Sequence, residues 1–291
     1  MIRYLHIGMT SACNLNCKHC FVKDKHIYTL NEDKVLQLIG FLEKQGLTHI
    51  YYTYGEPLIY KNIFSLSTKV NMFGIYQVLM TNGTLISEDV ADRLKFSGFN
   101  RIMVSIDSAD QKIHDENRGQ KGSFCLAIKS IERLKQRDIN VGIATTVTEK
   151  NCCQLAAIEK IAQQHSISYI SFLACRDRES ISCPLNSAYI QFFKSCVVQN
   201  KHYAFHDIRL NEYLNFWFKT GEISEAQYNL YYNANLCCKS STLTFSPFGD
   251  IFTCDLVDTS SLGNIDKINS YEAMSDIIDI VSSYKKGCCS I

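Results

Sequence analysis

Apolar residues fall in two rhythms along this chain, and the rhythms alternate. Short apolar runs, Arg3 to Ile7, His49 to Thr53, Tyr76 to Met80, Arg101 to Ile106, Asn140 to Thr146 and Tyr169 to Leu173, have the length of buried strands. Between them lie segments whose apolar positions recur three and four apart, the spacing that gathers them on one side of a helix. The first is capped by Asn31-Glu32-Asp33 and carries Val35, Leu36, Leu38, Ile39 and Leu42 on its apolar side through about Gln45. Ile63 to Phe73, Ser87 to Phe96, Ser123 to Arg137 and Gln154 to His165 repeat the pattern. Strands alternating with helices imply right-handed crossovers and a parallel sheet covered on both faces. Counting from Arg3 gives about six β/α units, fewer than a closed eight-unit barrel. In such sheets ligands bind in the loops after the C-terminal ends of the strands.

Composition narrows the class. A chain of 291 residues with 46% apolar content can fill a substantial core, and only three prolines argue against a long flexible linker. With 30 basic against 29 acidic residues and no long run of either sign, nucleic acid and membrane surfaces are not expected partners. No secretory signal or stretch of transmembrane length is visible, so a cytoplasmic location is expected. In a reducing compartment, 14 cysteines point to metal or redox chemistry rather than to disulfides.

Three of those cysteines fall in one loop after the first strand, Cys13-Asn14-Leu15-Asn16-Cys17-Lys18-His19-Cys20. Thiolates this close pair badly in a relaxed disulfide but can converge on one soft metal centre. A four-iron cluster wants four cysteines, so three leave one iron open to a small chelating molecule. A zinc knuckle from the three cysteines plus His19 is the competing reading. The spacing C-x3-C-x2-C resembles the signature of radical S-adenosylmethionine (SAM) enzymes. The resemblance implies that Cys13, Cys17 and Cys20 hold a [4Fe-4S] cluster whose open iron binds SAM. A reductase such as flavodoxin or ferredoxin is then expected as electron source. The implied fold is α/β, a partial (β/α)6 TIM-like barrel. His19 stands where the family usually has an aromatic residue near adenine; it either packs there or is a solvated loop histidine.

Other strand ends extend the resemblance. Tyr54-Gly55-Glu56-Pro57 looks like the family's glycine-glycine-glutamate-proline turn, which holds the amino group of SAM, but Tyr54 replaces the first glycine. A tyrosine is penalised where glycine tolerates positive φ, so a different local backbone is expected. Thr81-Asn82-Gly83 either faces the cofactor or makes a structural turn. Ser105, Asp107 and the run His114-Asp115-Glu116-Asn117-Arg118-Gly119 resemble the peptide- and protein-modifying branch, in which Ser105 lies near SAM and Arg118 near its carboxylate. For Arg118 a surface salt bridge is the alternative. Asp107 is expected either to bond ribose or to cap a loop. Cys175, at the end of the last barrel strand, is a candidate hydrogen donor or a buried inert thiol.

The remaining chain divides in the same terms. Residues 1–180 are expected to be the barrel, 181–235 a helical bridge rich in aromatics, and 236–291 a small C-terminal domain. In that last part Cys238 and Cys254 bracket a hairpin around Pro247-Phe248-Gly249-Asp250, and Cys288-Cys289 follow. This resembles the SPASM/twitch extension of the twitch type, which implies one auxiliary iron-sulfur cluster. Its expected ligands are Cys238, Cys254 and one of Cys288 or Cys289, with Cys237 as a further candidate. A zinc-stabilised hairpin or unliganded cysteines are the alternative. Asp255, directly after Cys254, is a candidate general base. The resemblance thus implies a radical SAM enzyme that abstracts hydrogen from a peptide, most plausibly a ribosomally made precursor. The outcome is a crosslink (cyclophane or thioether) or an epimerised residue. A formylglycine-generating sulfatase maturase is the alternative enzyme, and a non-catalytic iron-sulfur or zinc binding protein the alternative class. No leader-binding module is recognised, which leaves precursor capture to the barrel or to a separate protein.

Overall fold

The helices begin where short polar side chains can accept the first free backbone N–H groups. In the computed structural model, the side chains of Asn31, Ser87, Asp110 and Asn186 each accept from an N–H three residues on. The structure describes residues 2–20, 22, 26–175, 185–207, 209–235, 241–253, 261–268 and 270–283. Its elements run β1 (Tyr4–Ile7), α1 (Glu32–Lys44), β2 (His49–Tyr52), α2 (Ile63–Asn71), β3 (Tyr76–Thr81), α3 (Glu88–Lys95) and β4 (Arg101–Ser105). Then follow α4 (Gln111–Arg118), α5 (Ser123–Lys135), β5 (Val141–Val147), α6 (Leu155–Gln164) and β6 (Ile170–Ala174). The last are α7 (Ser187–Val198), β7 (Ala204–His206), α8 (Leu210–Lys219), α9 (Glu225–Asn235), β8 (Thr242–Phe245), β9 (Asp250–Phe252), β10 (Gly263–Asn264) and α10 (Tyr271–Ser283).

All ten strands join one sheet in the order β10-β9-β8-β1-β2-β3-β4-β5-β6-β7. From β8 to β7 every neighbouring pair is parallel, while β9 and β10 are antiparallel additions at one end. Two features cut across the expected divisions of the chain. A seventh parallel β/α strand, β7, lies in the stretch read as a purely helical bridge, because Ala204–His206 is too short to show a period. The sheet also crosses the expected boundaries near 180 and 236, since β8 docks in parallel register on β1, with Tyr4 opposite Thr242 and Ile7 opposite Phe245.

The two faces of the sheet differ, as the two-residue period of a strand requires. Leu79, Ile102, Val104, Ile143 and Phe172 join one large core with the helices. The opposite face carries a small cluster of Val78, Met103 and Ala144, edged by Tyr51, Tyr76, Met80, Tyr169 and Leu173. In β1 and β2 burial alternates, leaving Tyr4, His6, His49 and Tyr51 half-buried. This face is edged by aromatic and histidine side chains that are only part-buried among the described residues.

One polar hub sits inside the helix-facing core. Gln77 is fully buried; its carbonyl oxygen accepts from the Tyr52 hydroxyl at 2.8 Å, and its amide donates to the Ser67 and Gly98 carbonyls at 2.9 and 3.2 Å. Removing the hydroxyl leaves a buried acceptor with no donor, at a cost of about 1–3 kcal/mol. Tyr52→Phe should therefore lower the urea midpoint without changing the slope of the transition; an unchanged midpoint would show that Gln77 finds another donor.

Candidate active site at the strand ends

The cysteine loop leaves β1 and is fixed to its surroundings by backbone and amide contacts. Lys18 donates its backbone N–H to the Asn117 carbonyl at 2.9 Å, and Cys20 donates to the Cys17 carbonyl at 3.2 Å. At the other side, Asn82 donates to the Asn14 side-chain carbonyl at 3.0 Å, and Asn14 donates to the Thr84 hydroxyl at 2.8 Å. Gly119, in the left-handed conformation that ends α4, lies so close that a Cβ there would meet the Asn16 carbonyl oxygen at 2.3 Å. Only glycine satisfies both demands. The loop is thereby clamped between the end of β3 and the end of α4.

Cys13 is exposed, and Cys17 and Cys20 are half-buried. Burial pushes the Cys13 thiol up to about 11; burial also raises Cys17, against the opposing pull of the Arg118 cation. The thiols are near enough to disfavour one another's ionisation, yet among the described residues no three His, Cys, Asp or Glu side chains close around a single-ion site. His19 lies in the same loop, between Cys17 and Cys20. Its Nε2 faces Asp107 Oδ2 at 3.7 Å, and its Nδ1 is buried without a protein hydrogen-bond partner. His19 is thus a largely covered member of the site wall, with 12% of its side chain exposed. The donor set, the close glycine contact and the buried polar atoms beside the loop fit an iron-sulfur cluster with a polar ligand.

The turn after β2 resolves the tyrosine question. Tyr54 adopts φ of +60° and Gly55 φ of +47°, so the tyrosine enters the left-handed region instead of forcing a different backbone. The cost, about 1–3 kcal/mol, is offset by burial of the ring against Gly8, where a Cβ would meet Tyr54 Cβ at 2.8 Å and Pro247 Cδ at 2.7 Å. Glu56 lies beneath the turn. It is buried, accepts from Thr81 Oγ1 and Asn82 N at 2.8 Å each, and accepts from Leu58 N at 3.2 Å. Burial raises its carboxyl pKa, with the Asn82 N–H opposing. Its visible work is to lock the ends of β2 and β3 together; Asn82, in turn, holds the cysteine loop.

Beyond β4 the picture departs most from expectation. Asp107 is fully buried; Arg118 Nη2 donates to its Oδ1 at 2.8 Å, and Arg118 Nε lies 2.7 Å from Oδ2 as an ion pair in which neither atom has a hydrogen-bond partner. Thr146 N–H also donates to Oδ1 at 3.1 Å, and the Asp107 N–H donates to His114 Nδ1 at 3.2 Å. Burial would raise the Asp107 carboxyl, but the Arg118 and His19 charges hold it below the usual range. In this arrangement Asp107 is paired with Arg118, and no face of its carboxylate reaches solvent. Arg118 is likewise no surface salt bridge. It is buried and paired with Asp107, and its positive charge opposes the rise that burial imposes on the Cys17 thiol. Ser105 sits half-buried at the end of β4, and Cys175 half-buried beyond β6, with its N–H donated to the Val147 carbonyl at 2.8 Å.

Three members of this wall belong to the stretches that resemble the family but were given no role of their own. His114 accepts from the Asp107 N–H, and Asn151 donates to the Asp107 and Thr146 carbonyls. Asp115 could have been found from its spacing to Gly122-Ser123-Phe124. It accepts from the Gly122 and Phe124 N–H groups and the Ser123 hydroxyl, which caps α5. Cys237, Cys238, Cys254, Asp255, Cys288 and Cys289 lie outside the described residues.

The family model of the Radical SAM superfamily matches residues 7–151, the stretch holding all the strand ends just described up to β5. The chain belongs to that superfamily. The radical SAM assignment brings with it a [4Fe-4S] cluster and SAM as cofactors. Among curated proteins, Fe-coproporphyrin III synthase of Methanosarcina barkeri is 32% identical over 168 residues, 57% of this chain and 42% of that protein. GTP 3',8-cyclase of Clostridium botulinum is 31% identical over 141 residues, 45% of this chain and 43% of that protein. The alignments thus span less than half the length of these relatives. Two solved structures share the fold of a partial TIM-like barrel over nearly the whole chain. Streptococcus suis SuiB bound to precursor peptide SuiA has a TM-score of 0.76 at 15% identity, covering 98% of this chain and 67% of that one. His6-tagged anSMEcpe with bound AdoMet has a TM-score of 0.66 at 18% identity, covering 97% and 84%.

The site also carries an acid-sensitive element of this radical SAM wall. Burial, aided by the Arg118 cation, holds His114 down to about 4 from an ordinary 6.5. The folded value lies below the unfolded one, so the neutral ring's contribution is complete above pH 6.5 and is lost as pH falls toward 4. The loss is on the order of 3 kcal/mol at most. Urea titrations at pH 7 and 4.5 should show this drop for the native chain and a smaller one for His114→Gln. Equal drops would place the acid sensitivity elsewhere.

Proposed function

We propose that this chain is a radical SAM enzyme that modifies a peptide, most plausibly a ribosomally made precursor. The product is a crosslink, cyclophane or thioether, or an epimerised residue. The observation that supports this reading is the extent of the structural likeness. It covers 98% of the chain in a protein solved with its precursor peptide, whereas the first curated relatives align over little more than half. When bound, the cluster and SAM supply a 5'-deoxyadenosyl radical that takes hydrogen from the substrate. The chain's own part is to hold Cys13, Cys17 and Cys20 on a clamped loop and to seat SAM among Tyr54, Gly55, Asn82 and Ser105. The side chains over the half-buried interior face keep water away. A small electron carrier such as flavodoxin or ferredoxin supplies the electron. In the same reading Cys237 or Cys238, Cys254, and Cys288 or Cys289 hold an auxiliary cluster.

A second reading has its own support, since the relative named for coproporphyrin is 32% identical. It would make the substrate a tetrapyrrole. A third, sulfatase maturation with Asp255 as base, draws on the likeness to anSMEcpe. Anaerobic assays separate them. With SAM and dithionite, the reconstituted chain should release 5'-deoxyadenosine, and Cys17→Ala should abolish it while the far-ultraviolet spectrum is kept. Release that persists in Cys17→Ala would refute the cluster assignment. Cys254→Ala should lower bound iron yet keep SAM cleavage; unchanged iron would remove Cys254 from the ligands. Co-expression with a short open reading frame beside the gene should give a peptide lighter by about two hydrogens, or one that gains deuterium in heavy water. Conversion of iron-coproporphyrin with no change in any peptide would favour the second reading instead.

A further inference from the structure

Strands β1 to β8 contain no aspartate, glutamate or lysine and a single arginine, Arg101, which opens β4. The two-residue period of β4 puts Arg101 on the same face as Met103 and Ser105, turned away from the helix-packed core. Arg101 is half-buried, and its guanidinium lies over the Tyr169 ring, 4.3 Å from the centroid. Its Nε is buried, and among the described residues nothing accepts a hydrogen bond from it and no carboxylate pairs with the guanidinium. The neighbouring wall is aromatic. Val78 stands opposite Arg101, and Tyr76, two residues earlier on the same face, is followed across the strands by His49 and Tyr4, with ring centroids 5.2 and 5.3 Å apart. A ring face attracts a guanidinium but does not match its fork of N–H donors, which fits a carboxylate. Arg93 makes the contrast: it too lies over a ring, that of Phe64 at 3.9 Å, but on the exposed side of α3, where water meets its donors. On the strand face the charge has no acid of its own to answer it.

We propose that Arg101 anchors a carboxylate of the substrate, so that the enzyme selects an acidic peptide. This rests on the peptide-modifying reading and names the chemistry of its substrate. A buried donor without a partner is costly, and a planar carboxylate laid against the guanidinium edge satisfies it while cancelling the charge. The position of Arg101 also sets a distance. Ser105, at the other end of β4 and part of the strand-end site, lies four residues on, about 13 Å at the rise of a strand. An extended peptide covers that span in about four residues. The acidic residue therefore stands some way along the peptide from the carbon that loses hydrogen, and Arg101 fixes the register between the two.

The test uses the full chain with its cluster reconstituted without oxygen, and phenylglyoxal, which adds covalently to free guanidinium groups. Labelling rates at Arg101 and Arg93 are read from one digest by mass spectrometry, so that Arg93 reports any general effect of an additive. The probes are the capped peptide Ac-Ala-Ala-Glu-Ala-Ala-NH2, its glutamine counterpart, and iron-free coproporphyrin III. At about 20 mM, enough to fill a millimolar site, the glutamate peptide should slow labelling of Arg101 at least fivefold. The glutamine peptide at Arg101, and either peptide at Arg93, should change the rate less than twofold. Equal protection of Arg101 by the two peptides, or by neither, overturns the inference. So does an Arg101 that phenylglyoxal never labels in the native chain, because a substrate carboxylate could not reach it either. Protection by coproporphyrin and not by the glutamate peptide supports Arg101 as a carboxylate anchor and overturns the peptide reading beneath it. Release of 5'-deoxyadenosine by the same preparation separates the failures: release without protection removes the anchor and leaves the radical SAM chemistry standing.

Discussion

A carboxylate sealed from water must be neutralised by the protein or lose its charge, and in this chain that constraint falls on Asp107. Its solution organises the wall behind the cysteine loop. The carboxylate pairs with Arg118, Arg118 ends α4, and α4 ends on the glycine that touches Asn16. Backbone donors from β5 and a histidine acceptor from α4 complete the shell. Four separate segments, the loop, the end of β4, the end of β5 and α4, are thereby brought to one point by a single buried charge.

The opposite side of the loop is held by a second acid with a different logic. Glu56 has no cation within hydrogen-bond reach and is satisfied by neutral donors from the end of β3. Burial therefore raises its pKa where the same burial fails to raise that of Asp107. The two acids make a rigid frame on either side of three cysteines whose thiols are left to ionise on a metal. Such division suits a site that must hold a charged cluster and a sulfonium ligand without moving its own walls.

Much of this was legible in the sequence, and the failures have physical causes. Strands β1 to β6 and the intervening helices α1, α2, α3, α5 and α6 follow from periodicity, because each buries one face against the same core. The three-cysteine spacing is local and so survives translation into structure. Strand β7 was not legible, since three residues carry no period, and α4 was not, since its apolar content is low and Ile113 is its one aliphatic residue. For Asp107 and Arg118 the motif gives the residues but not which of them face inward, and the structure pairs the two with each other. Tyr54 taught the reverse lesson. Its penalty was read correctly, but its compensation, the space above Gly8, lies more than forty positions away and is visible only in three dimensions.

The parallel docking of β8 on β1 has a consequence for how the chain is made. Tyr4 finds its partner on one flank at His49 and on the other only at Thr242. A ribosome delivering about 5–20 residues per second leaves that second flank bare for some ten seconds or longer. Through that interval the nascent polypeptide carries an unpaired edge beside three cysteines, so a chaperone or an early metal donor has its natural moment of action before synthesis is over.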